Sequence, residues 1–193
     1  MTNRIYAITG GIGSGKSTVC KIIKECGYQV FSADEVYKEL LLSPEFVKSI
    51  YNALSITDAD NNTFDNKLVS SKVFNNKELL KKLNDITHPK IMQALIEKSK
   101  KVNGVCFNEV PLLFESGLQN LYDGVIVVKR DFSLREKDVV KRDNISKEEF
   151  FKRVNNQFDY QKIDNTHTVI TNDGDFKELE VKVKAVLGEI IKG

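Results

Sequence analysis

Apolar positions along this chain follow two alternating rhythms. Short runs rich in β formers, at residues 5–9, 28–31, 105–107, 124–128 and 168–170, read as buried strands. Between them the apolar spacing turns helical. Val19, Ile22, Ile23 and Cys26 stand at i, i+3, i+4, i+7, and Gly27 follows where a helix end favours a left-handed residue. Val36, Leu40 and Leu41 make a second stripe. Phe46, Val47, Ile50, Tyr51 and Leu54 make a third, after Ser43-Pro44, with proline at the first helical position. Residues 75–87 and 89–101 read as two helices broken at Thr87-His88-Pro89. Leu79, Leu80, Leu83 and Ile86 face the core in one, and Ile91, Met92, Leu95 and Ile96 in the other. A last helix starts near Asp175 and buries Phe176, Leu179, Val183, Val186, Leu187 and Ile190. Strands alternating with helices predict an α/β fold, a parallel sheet covered by helices.

Turn and cap residues refine the boundaries. Ser32 with Glu35, Ser133 with Glu136, and Ser146 with Glu149 each match a capping box. The stretch 55–66 is polar. Asp58, Asp60 and Asn62 imitate the start of a calcium loop, but Thr63 replaces the required glycine and Val69 the required glutamate, so a solvated loop is expected.

Composition narrows the class without naming it. The chain has 193 residues, 41% hydrophobic and 29% charged, which suits one domain with a real core. A net charge of +2 gives no general argument for nucleic acid or membrane partners, so any basic function is local. No apolar run is long enough to span a bilayer, and no N-terminal signal pattern is present. Cys20, Cys26 and Cys106 form no C-x-x-C pair and read as small buried hydrophobes in a reducing compartment.

The chemistry concentrates in Gly10-Gly11-Ile12-Gly13-Ser14-Gly15-Lys16-Ser17, followed by Thr18. It matches G-x-x-x-x-G-K-S/T between a predicted strand and a predicted helix. Glycines let backbone N–H groups approach an anion, and the helix N-terminus adds its positive end. Residues Gly11, Ile12, Gly13, Ser14, Gly15, Lys16, Ser17 and Thr18 are therefore candidates to hold ATP. Lys16 would serve the β- and γ-phosphates, and Ser17 would ligate Mg²⁺. Glu109, ending the third apolar strand, is the candidate second Mg²⁺ residue. Asp34 has two readings: a helix-dipole carboxylate in a first turn, or a catalytic carboxylate at the C-terminal edge of the sheet, where open α/β sheets bind ligands. His88 reads as a helix cap or as part of a site. The segment 129–162 is basic. Arg135 and Arg142 share one face, and Arg153 and Gln157 another, as expected of a mobile helical lid supplying cations to a transferring phosphoryl group.

Several phosphate-loop classes compete. A GTPase needs N-K-x-D, and the nearest text, Gln161-Lys162-Ile163-Asp164, lacks the asparagine. A transport or motor ATPase would carry a second ATP signature. A small-molecule kinase fits the length, the helical insert and the basic segment. A non-catalytic nucleotide sensor would need neither Asp34 nor the arginines.

The chain resembles the dephospho-CoA kinase family over nearly its whole length. The resemblance rests on Ile8-Thr9 with the loop that follows, on Ala33-Asp34 and Thr87-His88-Pro89, and on 110–115 (Val-Pro-Leu-Leu-Phe-Glu). It continues through Arg142-Asp143, Arg153 with Gln157, and Val169-Ile170-x-Asn172-x-Gly174. The resemblance implies a P-loop fold with a five-stranded parallel sheet. It implies a nucleotide core (about 1–34, 102–129 and 163–193), a helical CoA-binding insert (about 35–101) and a lid (about 130–162). It also implies phosphorylation of the 3′-hydroxyl of dephospho-CoA by ATP in the cytoplasm, the last step of coenzyme A synthesis, by a monomer or small homo-oligomer. Asp34 would take the hydroxyl proton, Lys16 and Arg142 would serve catalysis, and Asn172 would lie near the adenine. Asp34, His88, Pro89, Glu109, Leu113 and Arg153 would contact the acceptor. The runner-up is another nucleoside or metabolite kinase of the same fold. This chain departs from the family pattern at Ser32 and at Glu109, where the family has Asp, at Asn66 beside Lys67, and at Thr166-His167.

Overall fold

The computed structural model describes residues 3–57, 63–74, 76–163 and 166–192. The calcium-loop residues Asp58, Asp60 and Asn62, and Asp164 of the guanine-reader comparison, lie outside them. The chain divides into two compact units, Met1–Phe31 with Ser99–Gly193, and Ser32–Lys98.

The first unit holds a five-stranded parallel sheet in the order β2-β3-β1-β4-β5. Its strands are β1 (Arg4–Thr9), β2 (Gln29–Ser32, whose last residue begins the second unit), β3 (Val105–Glu109), β4 (Gly124–Lys129) and β5 (Thr168–Thr171). β1 is central, pairing Ile8 with Glu109 of β3 on one side and with Ile126 of β4 on the other. Strands covered on both faces need continuous apolar runs, and Val125, Ile126, Val127 and Val128 of β4 are all buried. Helices α1 (Lys16–Glu25) and α8 (Phe176–Lys192) pack on each other. Their buried residues, Val19, Ile22 and Ile23 with Leu179, Val183, Leu187 and Ile190, form one core with Ile8, Phe107, Ile126, Val128 and Ile170. Each such side chain contributes about 1.5–3 kcal/mol by leaving water. Phe176 is exposed, contrary to the sequence reading; it begins α8, a turn before the helix meets the core.

The second unit holds α2 (Ala33–Leu40), α3 (Pro44–Ala53), α4 (Asn66–Val73) and most of α5 (Lys77–Lys100). Its core is Phe46, Val47, Ile50, Tyr51, Leu54 and Val69, with Leu79 and Leu83 packed against it. Ser43 caps α3 by accepting from the Phe46 amide at 3.4 Å, ahead of Pro44 at the first position. Helix α4 begins inside the polar stretch, started by Asp65, which accepts from the amides of Lys67 and Leu68. Two expectations are corrected here. Ser32 precedes α2 but makes no side-chain cap bond. Residues 77–100 form one helix with Pro89 inside it, not two. Proline removes a hydrogen bond to the residue four before it, which is Asp85, an exposed position where water can take the bond. The apolar stripe on both sides of Pro89 then holds the helix together, although Leu80 points to solvent.

The basic segment contributes α6 (Phe132–Asp143) and α7 (Lys147–Asn155) to the first unit. Ser146 caps α7 as expected, accepting from the Glu149 amide at 3.1 Å. The cap of α6 is Asp131 rather than Ser133, because its carboxylate accepts from the amides of Ser133 and Leu134. Asn144 ends α6 in the left-handed conformation, and Phe132 packs on Phe150 and Phe151 of α7.

Candidate active site

The phosphate loop leaves the C-terminal end of β1 and enters α1. Gly15 is the helix N-cap at φ 93°, so no side chain obstructs the first amides of α1. A cavity of about 530 Å³ opens on this loop. It is lined by Gly13, Gly15, Lys16, Ser17 and Thr18, and on the other side by Arg130, Asp138, Val139, Lys141 and Arg142.

The predicted nucleotide residues divide by orientation. Gly13, Gly15, Lys16, Ser17 and Thr18 face the cavity, whereas Gly11, Ile12 and Ser14 build the back of the loop. The Ile12 amide donates to Gln157 Oε1 at 2.8 Å and the Ser14 amide to the Gly11 carbonyl at 3.1 Å, so neither is turned toward an anion. Lys16 Nζ donates to the carbonyls of Gly10 and Gly11 at 2.8 and 3.2 Å. Asn172 also stands behind the loop. Its Nδ2 donates to the Ser14 carbonyl at 2.9 Å, and its side chain occupies the place a Cβ on Gly15 would take.

Ser17 and Glu109 meet. The Ser17 hydroxyl donates to Glu109 Oε1 at 3.1 Å. A hydroxyl beside a carboxylate is a hard oxygen pair, which suits Mg²⁺, an ion that takes one or two carboxylates and fills its shell with phosphate oxygens and water. Among the described residues no group of three or more His, Cys, Asp or Glu is assembled, so the site offers no closed protein cage. The Cys20 thiol lies beneath the pair. Burial pushes its pKa far up, and the Glu109 charge adds to this, so it stays a neutral packing group.

Arg142 lines the cavity, with its side chain 64% exposed. Its Nε and Nη2 donate to Asp143 at 2.7 and 3.2 Å, a hydrogen-bonded pair that raises the guanidinium pKa above its usual value. Arg153 donates to the other side of the group, to Asp143 at 3.1 Å and Glu149 at 2.9 Å. Arg153 is thus connected to the cavity through Asp143 and Arg142 and is not among the lining residues. Leu113 is fully buried in the first unit.

Asp34, His88 and Pro89 belong to the second unit. Asp34 is exposed in the first turn of α2. His88 is half-buried on α5, and burial lowers its pKa. Pro89 is exposed on the same helix.

Sequence reasoning missed Arg130 and Asp138, which pair at 2.8 Å in the cavity wall. A signal existed: Arg130 directly follows β4, at the strand edge where such sheets bind ligands. The sequence places Arg135 with the lid cations, yet it is buried, and its Nε donates to the Ile12 carbonyl at 2.8 Å.

Comparison with known proteins fits this geometry. A family model described as dephospho-CoA kinase matches residues 4–178. A dephospho-CoA kinase of Fusobacterium nucleatum is 36% identical over 187 residues, covering 95% of this chain and 97% of that protein. The solved structure of a dephospho-CoA kinase from Campylobacter jejuni aligns over 98% of both chains at 30% identity with a TM-score of 0.67. A Thermus thermophilus structure aligns over 98% of both chains at 29% identity with a TM-score of 0.82. With a strand-loop-helix phosphate site on a five-stranded parallel sheet, and a family match spanning most of its length, this chain belongs to the dephospho-CoA kinase family.

Proposed function

We propose that this protein transfers the γ-phosphoryl group of ATP to the 3′-hydroxyl of dephospho-CoA, giving ADP and CoA. The carrying observation is the cavity itself. A phosphate loop with Lys16 and Ser17 forms one wall, the basic face of α6 with Lys141 and Arg142 forms the other, and Glu109 is bonded to Ser17. Family membership supports the acceptor.

Phosphoryl transfer passes through a loose transition state, so the protein's work is positioning and charge stabilisation. The amides of Gly13 and Gly15 and the Lys16 ammonium would hold the β- and γ-phosphates, with Arg142 set across the cavity and oriented by Asp143. The 3′-oxygen forms a bond to the γ-phosphorus, the bond from that phosphorus to the β,γ-bridging oxygen breaks, and the hydroxyl proton goes to Asp34. Ser17 and Glu109 would hold Mg²⁺, which would supply charge neutralisation to the transferring phosphoryl group. On this reading Ser32–Lys98 carries the acceptor-binding helices, with His88 and Pro89 on α5, and α6 with α7 acts as the lid. Unpaired Cys20, Cys26 and Cys106 suit a cytoplasmic enzyme.

A coupled assay of ADP release tests this with dephospho-CoA beside adenosine and other nucleosides as acceptors. Turnover is expected with dephospho-CoA and is expected to vanish in Lys16→Ala. Faster turnover with a nucleoside than with dephospho-CoA would overturn the acceptor assignment.

A further inference from the structure

Two consecutive peptides of the phosphate loop are held from outside it. The Ile12 N–H donates to Gln157 Oε1 at 2.8 Å, and the Ile12 carbonyl accepts from Arg135 Nε at 2.8 Å. Arg135 is on the first turn of α6 and Gln157 follows α7, so the two ends of the basic segment converge on one residue. No described peptide is cis. In a trans peptide the carbonyl and the N–H point in opposite directions across one plane. Fixing one group therefore aims the other.

The consequences are specific. When Arg135 holds the Ile12 carbonyl, the N–H of the same peptide, that of Gly13, points the opposite way, and Gly13 lines the cavity. When Gln157 holds the Ile12 N–H, the Gly11 carbonyl of that peptide points away from Gln157. There it accepts from Lys16 Nζ at 3.2 Å. One outside residue aims a cradle donor and the other builds part of the seat of the catalytic lysine.

Arg135 is an unusual choice for a merely structural position. It is 7% exposed, and burial pulls its pKa down. Its guanidinium lies so close to the loop that a Cβ on Gly11 would come within 2.8 Å of Nη2. Burying a cation is costly, and an apolar side chain would fill the same volume more cheaply. The bond to the Ile12 carbonyl is what an apolar side chain cannot replace.

We propose that Arg135 and Gln157 are positioning residues for phosphoryl transfer, which set the planes of the Gly11–Ile12 and Ile12–Gly13 peptides and thereby aim the Gly13 N–H and seat Lys16. This rests on reading the cavity as the nucleotide site. The test is calorimetric titration of the full-length protein with Mg²⁺ and ADP, together with thermal melting of each variant. Gln157→Leu is expected to weaken ADP binding by about tenfold, the scale of one lost hydrogen bond, and Arg135→Met by more, because its bond is charge-assisted. Gln157→Glu keeps an acceptor oxygen and is expected to stay within about threefold of the parent. Equal losses in Gln157→Glu and Gln157→Leu would show that the acceptor oxygen on the Ile12 N–H is not what the loop needs, and that result overturns the proposal. So does a cooperatively melting Gln157→Leu that binds ADP within about twofold of the parent. If Arg135→Met does not fold, the two Gln157 variants decide the question, since Gln157 is only half-buried. A parent protein that binds ADP but does not phosphorylate dephospho-CoA refutes the acceptor assignment and leaves this test intact.

Discussion

Gly15→Ala is the substitution whose cost the structure lets one divide into parts. Gly15 sits at φ 93° and ψ 22°, in the left-handed region. An alanine there costs about 1–2 kcal/mol from its Cβ against the following carbonyl. The new Cβ would also fall on Asn172 Nδ2 and displace it from the Ser14 carbonyl, which it holds at 2.9 Å. Losing that bond costs about 0.5–1.5 kcal/mol. The sum, about 1.5–3.5 kcal/mol, lowers Tm by roughly 3–14 °C at about 2–4 °C per kcal/mol for a chain of this size. The two parts separate in a double-mutant cycle. Asn172→Ala alone should cost about the hydrogen bond. In the Gly15→Ala background it should cost nearly nothing, because the bond is already gone, so the coupling is about 0.5–1.5 kcal/mol. Differential scanning calorimetry of the parent, both single variants and the double variant measures this. Strictly additive losses would show that Asn172 does not brace the loop through Gly15. A Gly15→Ala variant melting within a degree of the parent would refute the backbone argument altogether.

Asp34→Asn is expected to leave ATP affinity nearly intact while lowering kcat by about 10²-fold or more, as loss of a general base does; a kcat within a factor of about two would leave Asp34 a helix-dipole residue only. Arg142→Ala should lower kcat more than it weakens ATP binding, by about 10²-fold, because its charge is needed most as the phosphoryl group transfers; pre-steady-state kinetics separates the two, and an effect confined to ATP affinity counts against this role. His88 supplies a pH test. Its folded pKa lies below the usual 6.5 through burial, so below that value the unfolded chain binds the extra proton and stability falls as pH drops toward the folded pKa. Urea unfolding across this window should show a shallower fall for His88→Gln than for the parent, and identical slopes would remove His88 as a contributor.

The strands were legible because parallel strands buried on both faces are written as near-continuous apolar runs, and β4 and β1 are plain instances. The phosphate loop was legible because its glycines, Lys16 and Ser17 are demanded by local backbone geometry, within one strand-turn-helix. Errors fell where a local signal met a tertiary one. Pro89 predicts a break, but the packed stripe running through Leu83, Met92 and Leu95 keeps α5 continuous. Ser133 and Glu136 spell a capping box, yet Asp131 is two residues earlier and offers a carboxylate, a stronger acceptor for the first amides.

The residues behind the loop were the least legible, for a reason that also explains their importance. Arg135, Gln157 and Asn172 bond to Ile12 and Ser14 across sequence separations of 123, 145 and 158 residues. Their partners are backbone atoms, and every residue has those, so no side-chain pattern in the loop announces them. A basic helix near a phosphate loop is read first as a source of charge for the ligand, and for Arg142 the cavity supports that reading. Arg135, two turns earlier on α6, has its charge turned to the protein instead. A glycine-rich loop is free to cradle phosphate only because it lacks side chains, and for the same reason it cannot hold its own shape. Rigidity has to be supplied by neighbours that reach its peptides. In this chain they come from the basic segment and from the end of β5, and α6, which borders the cavity through Val139 and Arg142, also holds through Arg135 the loop that lines its other side.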